Sequence, residues 1–160
     1  MTQPVVVDLT PEETHPLRLA VLRADTPTKD VVFPEDTWPG AVHLGLRLGD
    51  ELVATSSWVP REHAGTPAVQ LRGMATTGHM QGSGLGGVLL EAGCARYAAK
   101  GVPLVWARAR DAALGFYLRH AFVVEGDGFV DAATQLPHHL VVRHLDERAN
   151  GSTTPYDTWV

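Results

Sequence analysis

The stretch "HMQGSGLGGVLLEAG", from His79 to Gly93, places four glycines within Gly82–Gly87 and then continues into a helix-forming sequence. Glycine in a helix interior costs about 1 kcal/mol relative to alanine, so this density at a helix start needs a physical reason. Three explanations are compatible with the stretch alone: a cradle for phosphate, a close-packed turn, and a flexible linker. The first has a clear mechanism, because free N–H groups and the positive end of the helix dipole bind anions.

The same glycines also match G-x-G-x-x-G, the pattern of dinucleotide-binding folds, but a single match of that kind is a weak signal. Those folds place the pattern in their first βα unit and an acidic residue about 20 positions onward. Here several predicted strands precede the loop, and the strand that follows it, "PLVWARAR" (103–110), contains no carboxylate. No Gly-Lys-Ser/Thr is present either, which excludes a Walker P-loop. A nucleotide-dependent oxidoreductase is therefore a disfavoured alternative.

The composition narrows the class of protein. A chain of 160 residues with 44% hydrophobic and 19% charged residues is the size of one globular domain. Its net charge of −5 argues against a nucleic-acid partner, although a group of basic residues at Arg72, Lys100, Arg108 and Arg110 permits a small anionic ligand. The single cysteine, Cys94, allows no intrachain disulfide and is expected to be a buried thiol. With no apolar run long enough to span a membrane and no signal pattern, we expect a cytoplasmic protein.

The hydrophobic pattern predicts the element order β-α-β-β-β-α-β-α-β-β, a mixed α/β domain over 1–148 with a polar tail over 149–160. Thr10 and Glu13 form the capping-box pattern of a helix start, and Pro16 is expected to delay or kink that helix. Residues 25–40 are predicted to form a loop in which Glu35 and Asp36 are solvated. The stretch 41–60 is predicted to be a hairpin that turns at Gly49 and Asp50.

Read from Gln81, the glycine loop is Q-x-x-G-x-G. The strand "LRGMAT" (71–76) precedes it, and Tyr117 follows 30 residues after Gly87, within "ALGFYLRHAF" (113–122). This arrangement resembles the GNAT superfamily of acyl-CoA N-acyltransferases over roughly residues 4–145. The resemblance implies an α/β (α+β) fold in which helices flank a mixed, mostly antiparallel central sheet. It also implies acetyl-CoA (coenzyme A) as the co-substrate and no metal.

The resemblance assigns roles to particular residues. The strand end would pair its backbone with the pantetheine arm of coenzyme A, and the loop would hold the pyrophosphate. Arg110 stands where many relatives carry an asparagine that contacts the cofactor. We expect Arg110 or Arg108 to contact a phosphate of coenzyme A or an acidic group of the acceptor, unless both are simply solvated. The cofactor-binding residues implied in this way are Met74, Ala75, Thr76, Gln81, Gly82, Ser83, Gly84, Leu85, Gly86, Gly87 and Arg110.

Catalysis of amine acetylation needs a proton acceptor for the amine and a donor for the thiolate. By the resemblance, Tyr117 would face the thioester sulfur as the acid; the alternative is a tyrosine of the core. Val105 stands where some relatives carry a glutamate base, so the usual base is missing. His138, beside Pro137 at the start of a strand, is the best base candidate because histidine titrates near neutrality. The alternative for His138 is a structural or surface histidine.

These observations predict an acetyl-CoA-dependent N-acetyltransferase that moves an acetyl group directly to an amine, on a small molecule or a peptide. A non-catalytic acyl-CoA-binding or regulatory module is the alternative, because the glycine loop is present and the usual carboxylate base is not. Neither nucleic acid nor a membrane is an expected partner, and a homodimer is compatible with the sequence. The scattered histidines show no spacing that suggests a metal site.

Overall fold

The computed structural model describes residues 2–145, and one seven-stranded sheet runs through them. The strands are β1 Pro4–Leu9, β2 Val42–Leu48, β3 Glu51–Pro60, β4 Val69–Thr76, β5 Leu104–Arg110, β6 Val123–Val130 and β7 Pro137–His144. Their order across the sheet is β1-β2-β3-β4-β5-β7-β6, and neighbours are antiparallel except for the parallel pair β4 and β5. The predicted fold class, a mixed and mostly antiparallel sheet flanked by helices, is confirmed.

The α-helices are α1 His15–Leu17, α2 Leu85–Ala99 and α3 Leu114–Leu118. No helix within residues 2–145 is both long and apolar enough to cross a bilayer. The hairpin that turns at 49–50 is confirmed, because β2 and β3 pair along their lengths. The predicted polar tail, 149–160, lies outside the part of the chain that the structure describes.

The first helical segment shows what the capping box and the proline do. The Thr10 N–H donates to Glu13 Oε1 at 2.8 Å, and the Glu13 N–H donates back to Thr10 Oγ1 at 3.3 Å, which confirms the capping box. Pro16 lacks an N–H and cannot continue a regular helix. The segment is accordingly divided into a 3-10 turn at Glu12–Thr14, the single α-helical turn α1, and a π-helical turn at Arg18–Leu22.

Strands β4 and β5 pair over a short distance and then separate. Their register contains three residue pairs, the last of which joins Leu71 to Ala107. Beyond that pair β4 continues to Thr76 and β5 to Arg110 without further bridges between them. The edge of β4 that faces β5 therefore carries unpaired backbone N–H and C=O groups, which are available to another extended chain.

A bulge in β4 marks the point where the two strands separate. On its other edge β4 pairs with β3 through Arg72 and Ser57, and again through Ala75 and Thr55. Two residues of β4, at positions 73 and 74, therefore lie opposite one residue of β3. Gly73 adopts φ +60°, a conformation that suits glycine, and the bulge turns the end of β4 away from β5.

Helix α2 covers one face of the sheet and packs very closely against it. A Cβ atom built on Gly93 would lie 1.9 Å from Cζ2 of Trp58, a fully buried side chain of β3. The indole also stacks on Tyr97 of α2 with ring centroids 5.6 Å apart. Glycine at position 93 therefore lets the helix backbone lie directly on the tryptophan ring.

A buried ion pair fixes the loop that follows the π-helical turn. Arg18 has no exposed surface, and it donates to both carboxylate oxygens of Asp36, at 2.7 and 2.8 Å. The same guanidinium donates to the Val31 carbonyl and to Ser57 Oγ of β3, and lies 3.9 Å from the ring centroid of Phe33. The expectation that Asp36 is solvated is wrong, because only 6% of the residue is exposed.

The charge state of Asp36 depends on this pair. Burial acts to raise the pKa of Asp36, but the hydrogen bonds and the charge of Arg18 outweigh it and hold the pKa below its ordinary value. A carboxyl whose pKa is depressed by folding stabilises the folded state above its unfolded pKa of about 3.9. That contribution is lost as the pH falls through the lower value of the folded state.

We expect Asp36→Asn to lower the free energy of unfolding at pH 7 by about 3–5 kcal/mol, because it leaves the Arg18 cation buried without a counter-charge. Urea unfolding measures this change, and Asp50→Asn in the exposed hairpin turn should stay within about 0.5 kcal/mol of the wild type. The gap between Asp36→Asn and the wild type should narrow as the pH approaches 3. A loss below about 1 kcal/mol at pH 7 would contradict this account.

Candidate active site

A cavity of about 680 Å³ lies between the glycine loop, the separated end of β4 and helix α3. It is the larger of two cavities that adjoin the gap between β4 and β5. The predicted cofactor-binding residues that line it are Met74, Thr76, Gln81, Gly82, Gly84, Gly86, Gly87 and Arg110. The other three do not line it: Ala75 is buried, the Ser83 hydroxyl donates to the Met80 carbonyl, and Leu85 packs against the core.

The loop glycines serve two different purposes. Gly82 and Gly84 have φ of +83° and +88°, and a Cβ built on either would meet no atom within 4 Å. These two make the turn and leave open space in front of it. A Cβ on Gly86 would lie 2.8 Å from Thr76 Oγ1, and one on Gly87 would lie 2.7 Å from the His120 ring. Gly86 and Gly87 are therefore required for close packing, whereas Gly82 and Gly84 are required for the open turn of the loop.

Helix α2 points its N-terminus into this cavity. The Val88 N–H donates to the Gly84 carbonyl at 3.2 Å, and the Leu85 N–H lies 3.4 Å from Ser83 Oγ. Within residues 2–145, the N–H groups of Gly86 and Gly87 have no hydrogen-bond acceptor. Free N–H groups at the positive end of a helix dipole form an anion-binding arrangement.

Gln81 has a role that the sequence did not predict. Its side-chain amide donates to the carbonyl oxygen of Thr76 at 2.9 Å, which ties the loop to the end of β4. The side chain therefore positions the loop, while its neighbours in the loop provide the open surface.

A second cavity, of about 200 Å³, lies where β4 and β5 separate, on the other side of Tyr117. The π-helical turn, the ends of both strands and the 131–134 loop enclose it. The residues that line both cavities are Leu22, Met74, Arg110, Ala113 and Tyr117. The two cavities therefore adjoin each other at these five residues, their shared wall.

The ring of Tyr117 packs in the hydrophobic core, and the residue also lines both cavities. It is 6% exposed, and its ring packs edge-on against Phe116 and Phe122 with centroids 5.2 and 5.3 Å away. Its hydroxyl has no hydrogen-bond partner within residues 2–145. Burial raises the pKa of Tyr117 well above its ordinary value, and nearby Cys94 adds to the effect. The hydroxyl therefore stays protonated across the working pH range and is available to donate.

His138 lines the smaller cavity together with Tyr117. Its Nδ1 lies 2.9 Å from the Leu136 carbonyl oxygen. A carbonyl can only accept, so Nδ1 carries the hydrogen, and in the neutral ring Nε2 is left as the acceptor. The ring is 5% exposed and stacks on Phe129 at 5.8 Å between centroids. The structure thus brings both predicted catalytic side chains to one cavity.

Four arginines line this smaller cavity, and three of them pair with a carboxylate. Arg72 Nε lies 3.3 Å from Glu35, Arg108 Nη2 lies 3.0 Å from Asp131, and Arg110 Nη1 lies 3.6 Å from Asp25. Arg110 also donates to the Leu22 carbonyl, so it connects β5 to the π-helical turn. The expectation that Glu35 is a solvated loop residue is wrong, because its side chain is 13% exposed and paired.

Burial lowers the pKa of Arg72, and the charges of Arg61, Arg108 and Arg18 add to that effect while Glu35 opposes it. The fourth arginine of the cavity, Arg23, is 9% exposed, and burial and the charge of Arg110 likewise lower its pKa, while Asp30 and Asp131 oppose them. The cavity therefore holds four cations close to one another, three of which have a carboxylate partner.

Sequence reasoning missed Arg23 and Asp131. The Asp131 carboxylate accepts the backbone N–H groups of Ala133 and Thr134 as well as Arg108, so it orders the loop beside His138. A signal existed for Arg23, since it is a charged residue directly after the apolar end of the first helical segment. Nothing local in the sequence pointed to Asp131.

The cysteine and the metal-ligating side chains form no second site within residues 2–145. Cys94 is 1% exposed, and burial raises the pKa of its thiol to about 11, which confirms the predicted buried thiol. In the part of the chain that the structure describes, no three side chains of His, Cys, Asp or Glu converge in a way that could hold a metal ion.

Comparison with known proteins shows the family and the fold of the chain. The model of the Acetyltransferase (GNAT) family matches residues 10–122. A Bacillus subtilis (strain 168) protein described as the uncharacterized N-acetyltransferase YitI is 28% identical over 121 residues, which are 74% of this chain and 81% of that protein.

Two solved structures share the fold. FeeM, an N-acyl amino acid synthase from uncultured soil microbes, has a TM-score of 0.78 at 12% identity, covering 92% of this chain and 93% of its own. An aminoglycoside 6'-N-acetyltransferase complexed with coenzyme A has a TM-score of 0.67 at 12% identity, covering 88% and 97%. At such identities these likenesses show the fold alone.

Proposed function

The chain belongs to the acetyltransferase (GNAT) family, and from that premise we propose that it transfers an acetyl group from acetyl-CoA directly to an amine. Family membership establishes acyl transfer in general. One observation carries the finer proposal: a wide cavity with an anion-binding helix terminus and a small cavity with a histidine acceptor meet at the Tyr117 side chain. Two cavities that share lining residues can hold the two reactants next to each other, as a direct transfer requires.

The residues of the larger cavity fit coenzyme A. The N–H groups of Gly86 and Gly87 and the open turn at Gly82 and Gly84 suit a pyrophosphate, and the unpaired edge of β4 suits the pantetheine amides. A bound acetyl-CoA supplies an activated thioester carbonyl at the shared wall. Because Arg110 already bonds to Leu22, we propose that it shapes this wall, with any phosphate contact as a secondary role.

The reaction then needs one group that accepts a proton from the amine and one group that donates a hydrogen bond to the leaving sulfur. In our proposal Nε2 of His138 accepts the proton that an ammonium substrate must lose before the amine nitrogen can bond to the thioester carbon. The further proton that this nitrogen loses after the attack passes to solvent. Tyr117 donates a hydrogen bond to the sulfur as the carbon–sulfur bond breaks. The raised pKa of Tyr117 makes full proton transfer to the thiolate unfavourable, so the hydroxyl stabilises the thiolate by hydrogen bonding.

The alternative, a non-catalytic acyl-CoA-binding module, predicts binding without turnover. Thermal shift with acetyl-CoA and coenzyme A tests binding, because a ligand of the folded state raises Tm. Thiol release with a panel of amines then tests transfer. The names of the two structural neighbours make amino acids and aminoglycosides reasonable members of that panel. Binding with no thiol release from any amine would favour the module.

Gly84→Asp should abolish coenzyme A binding, because it places a carboxylate where the pyrophosphate is expected. The matched control is Gly84→Asn, which has the same shape without charge and tolerates the positive φ of this position. Calorimetric titration with coenzyme A should show the Asn variant binding more tightly than the Asp variant by at least about 10-fold. Equal affinities of the two variants, or wild-type affinity in Gly84→Asp, would show that the pyrophosphate does not bind at this loop.

Tyr117→Phe removes the hydroxyl and keeps the ring packing, so the fold should survive. We expect kcat to fall about 10²-fold, at the low end for such assistance, with little change in KM for acetyl-CoA. Because the pKa of Tyr117 is raised, the wild-type to variant ratio of kcat should stay constant from pH 6 to about 10. Wild-type turnover in the variant would make Tyr117 a core residue only.

His138→Gln should lower kcat/KM most for strongly basic amines, which are ammonium ions at the assay pH and must lose a proton. The expected loss is about 10²-fold or more for these amines and smaller for weakly basic ones, which are already neutral. In His138→Ala, which leaves the space of the ring empty, added imidazole should restore part of the activity. An equal loss for both kinds of amine would assign His138 to structure, since misplacement affects every acceptor alike.

A further inference from the structure

The smaller cavity has an imbalance of charge. Its walls carry four guanidinium groups and one carboxylate, Asp131. When the ion-pair partners behind the walls, Glu35 and Asp25, are included, three of the four arginines are matched. Arg23 is the fourth, and it forms no ion pair within 4 Å among the residues that the structure describes.

Arg23 is also buried in a way that makes a free charge costly. Only 9% of the residue is exposed, and its hydrogen bonds go to the carbonyl oxygens of Asp30, at 2.9 Å, and Leu22, at 3.5 Å. Neutral carbonyls satisfy N–H groups but do not neutralise a positive charge. The cation is therefore held beside the cavity with Asp30 and Asp131 near enough to raise its pKa, but with no carboxylate in ion-pair contact among residues 2–145.

Two other arginines of the cavity, Arg72 and Arg108, also favour an anion there. Arg72 Nε is buried and is not hydrogen-bonded, although it lies 3.3 Å from Glu35 Oε2, because the two groups are not aligned. Arg108 lies across the same cavity and is nearly half exposed. Burial, together with the charges of nearby arginines, lowers the pKa of both Arg23 and Arg72, although Asp30 and Asp131 oppose this effect at Arg23 and Glu35 opposes it at Arg72. An anion entering the cavity would relieve this mutual repulsion.

From this geometry we infer that the acceptor is a small amine that also carries a carboxylate, and that Arg23 binds the carboxylate while the amine faces His138 and Tyr117. The part of this inference that concerns the amine rests on the proposed function, whereas the part that concerns the carboxylate does not. One unmatched guanidinium calls for one negative charge, which a carboxylate supplies and a phosphate dianion exceeds. The volume of about 200 Å³ is below the roughly 300–1,000 Å³ of drug-sized ligand sites, so the acceptor is small.

The kinetic test compares each acid with its own amide. The probes are the common α-amino acids, β-alanine and 4-aminobutyrate, each assayed beside its carboxamide with acetyl-CoA as donor. The wild type should prefer the best acid to its amide. Arg23→Gln should lower that preference, measured as the ratio of the two kcat/KM values, by about 10- to 100-fold, the usual effect of losing a charge-assisted hydrogen bond.

Two further variants control this result. Arg23→Lys keeps the charge and should restore part of the preference, whereas a purely structural role of Arg23 would not distinguish acid from amide. Arg47→Gln removes a half-exposed arginine of β2 that lines neither cavity and should leave the ratio within about twofold. Coenzyme A affinity and Tm of each variant show whether it has folded.

A binding test separates this inference from the proposed reaction. N-acetyl α-amino acids and their amides are added to the wild type and to Arg23→Gln, and Tm is recorded. The acids should raise Tm in the wild type only, and this readout needs no turnover. Suppose that thiol release is as fast with the amides as with the acids, and that Arg23→Gln does not change the ratio of the two kcat/KM values. The inferred carboxylate is then wrong, while the proposed acetyl transfer stands. Acid-specific binding without thiol release would support the carboxylate and overturn the transfer.

Discussion

Parallel pairing of β4 with β5 over three residues is the constraint on which the rest of the structure depends. Two neighbouring parallel strands cannot be joined by a hairpin, so the chain must cross over the sheet, and α2 is that crossover. The crossover begins at the carboxyl end of β4, which fixes the positive end of α2 at the point where the strands separate. The gap between the strands, the free N–H groups and the two cavities thus share one topological origin.

The buried pair of Arg18 and Asp36 keeps the opposite wall in position. Its hydrogen bonds reach the loop that carries Phe33 and the strand β3, and Arg18 also lies against the glycine of the β4 bulge. A Cβ on Gly73 would lie 3.1 Å from Arg18 Nε. The position of the bulge is therefore coupled to the guanidinium, and the wall of the smaller cavity is set by a polar network rather than by apolar packing alone.

Features that depend on neighbouring residues were predictable from the sequence, and features that depend on distant residues were not. The hairpin, the capping box at Thr10 and the turned glycine loop each follow from residues within a few positions of one another. The partners of Arg18 and Arg72 are separated from them by a whole loop or by two strands, so no periodicity indicates them. Asp36 and Glu35 looked like ordinary loop carboxylates for that reason. Tyr117 and His138 were predicted from the resemblance and from residue chemistry, and only the fold puts them in one cavity.

The wall that the two cavities share has a consequence for ligand design. A single molecule that occupied both cavities past this shared wall would lose its translational freedom once, whereas two separate ligands lose it twice. Its second half binds at the high effective concentration set by a very short linker. Such a two-headed ligand would join a coenzyme A sulfur to the nitrogen of a carboxylate-bearing amine. It would exceed the affinity of either half without any contact that the halves do not already make.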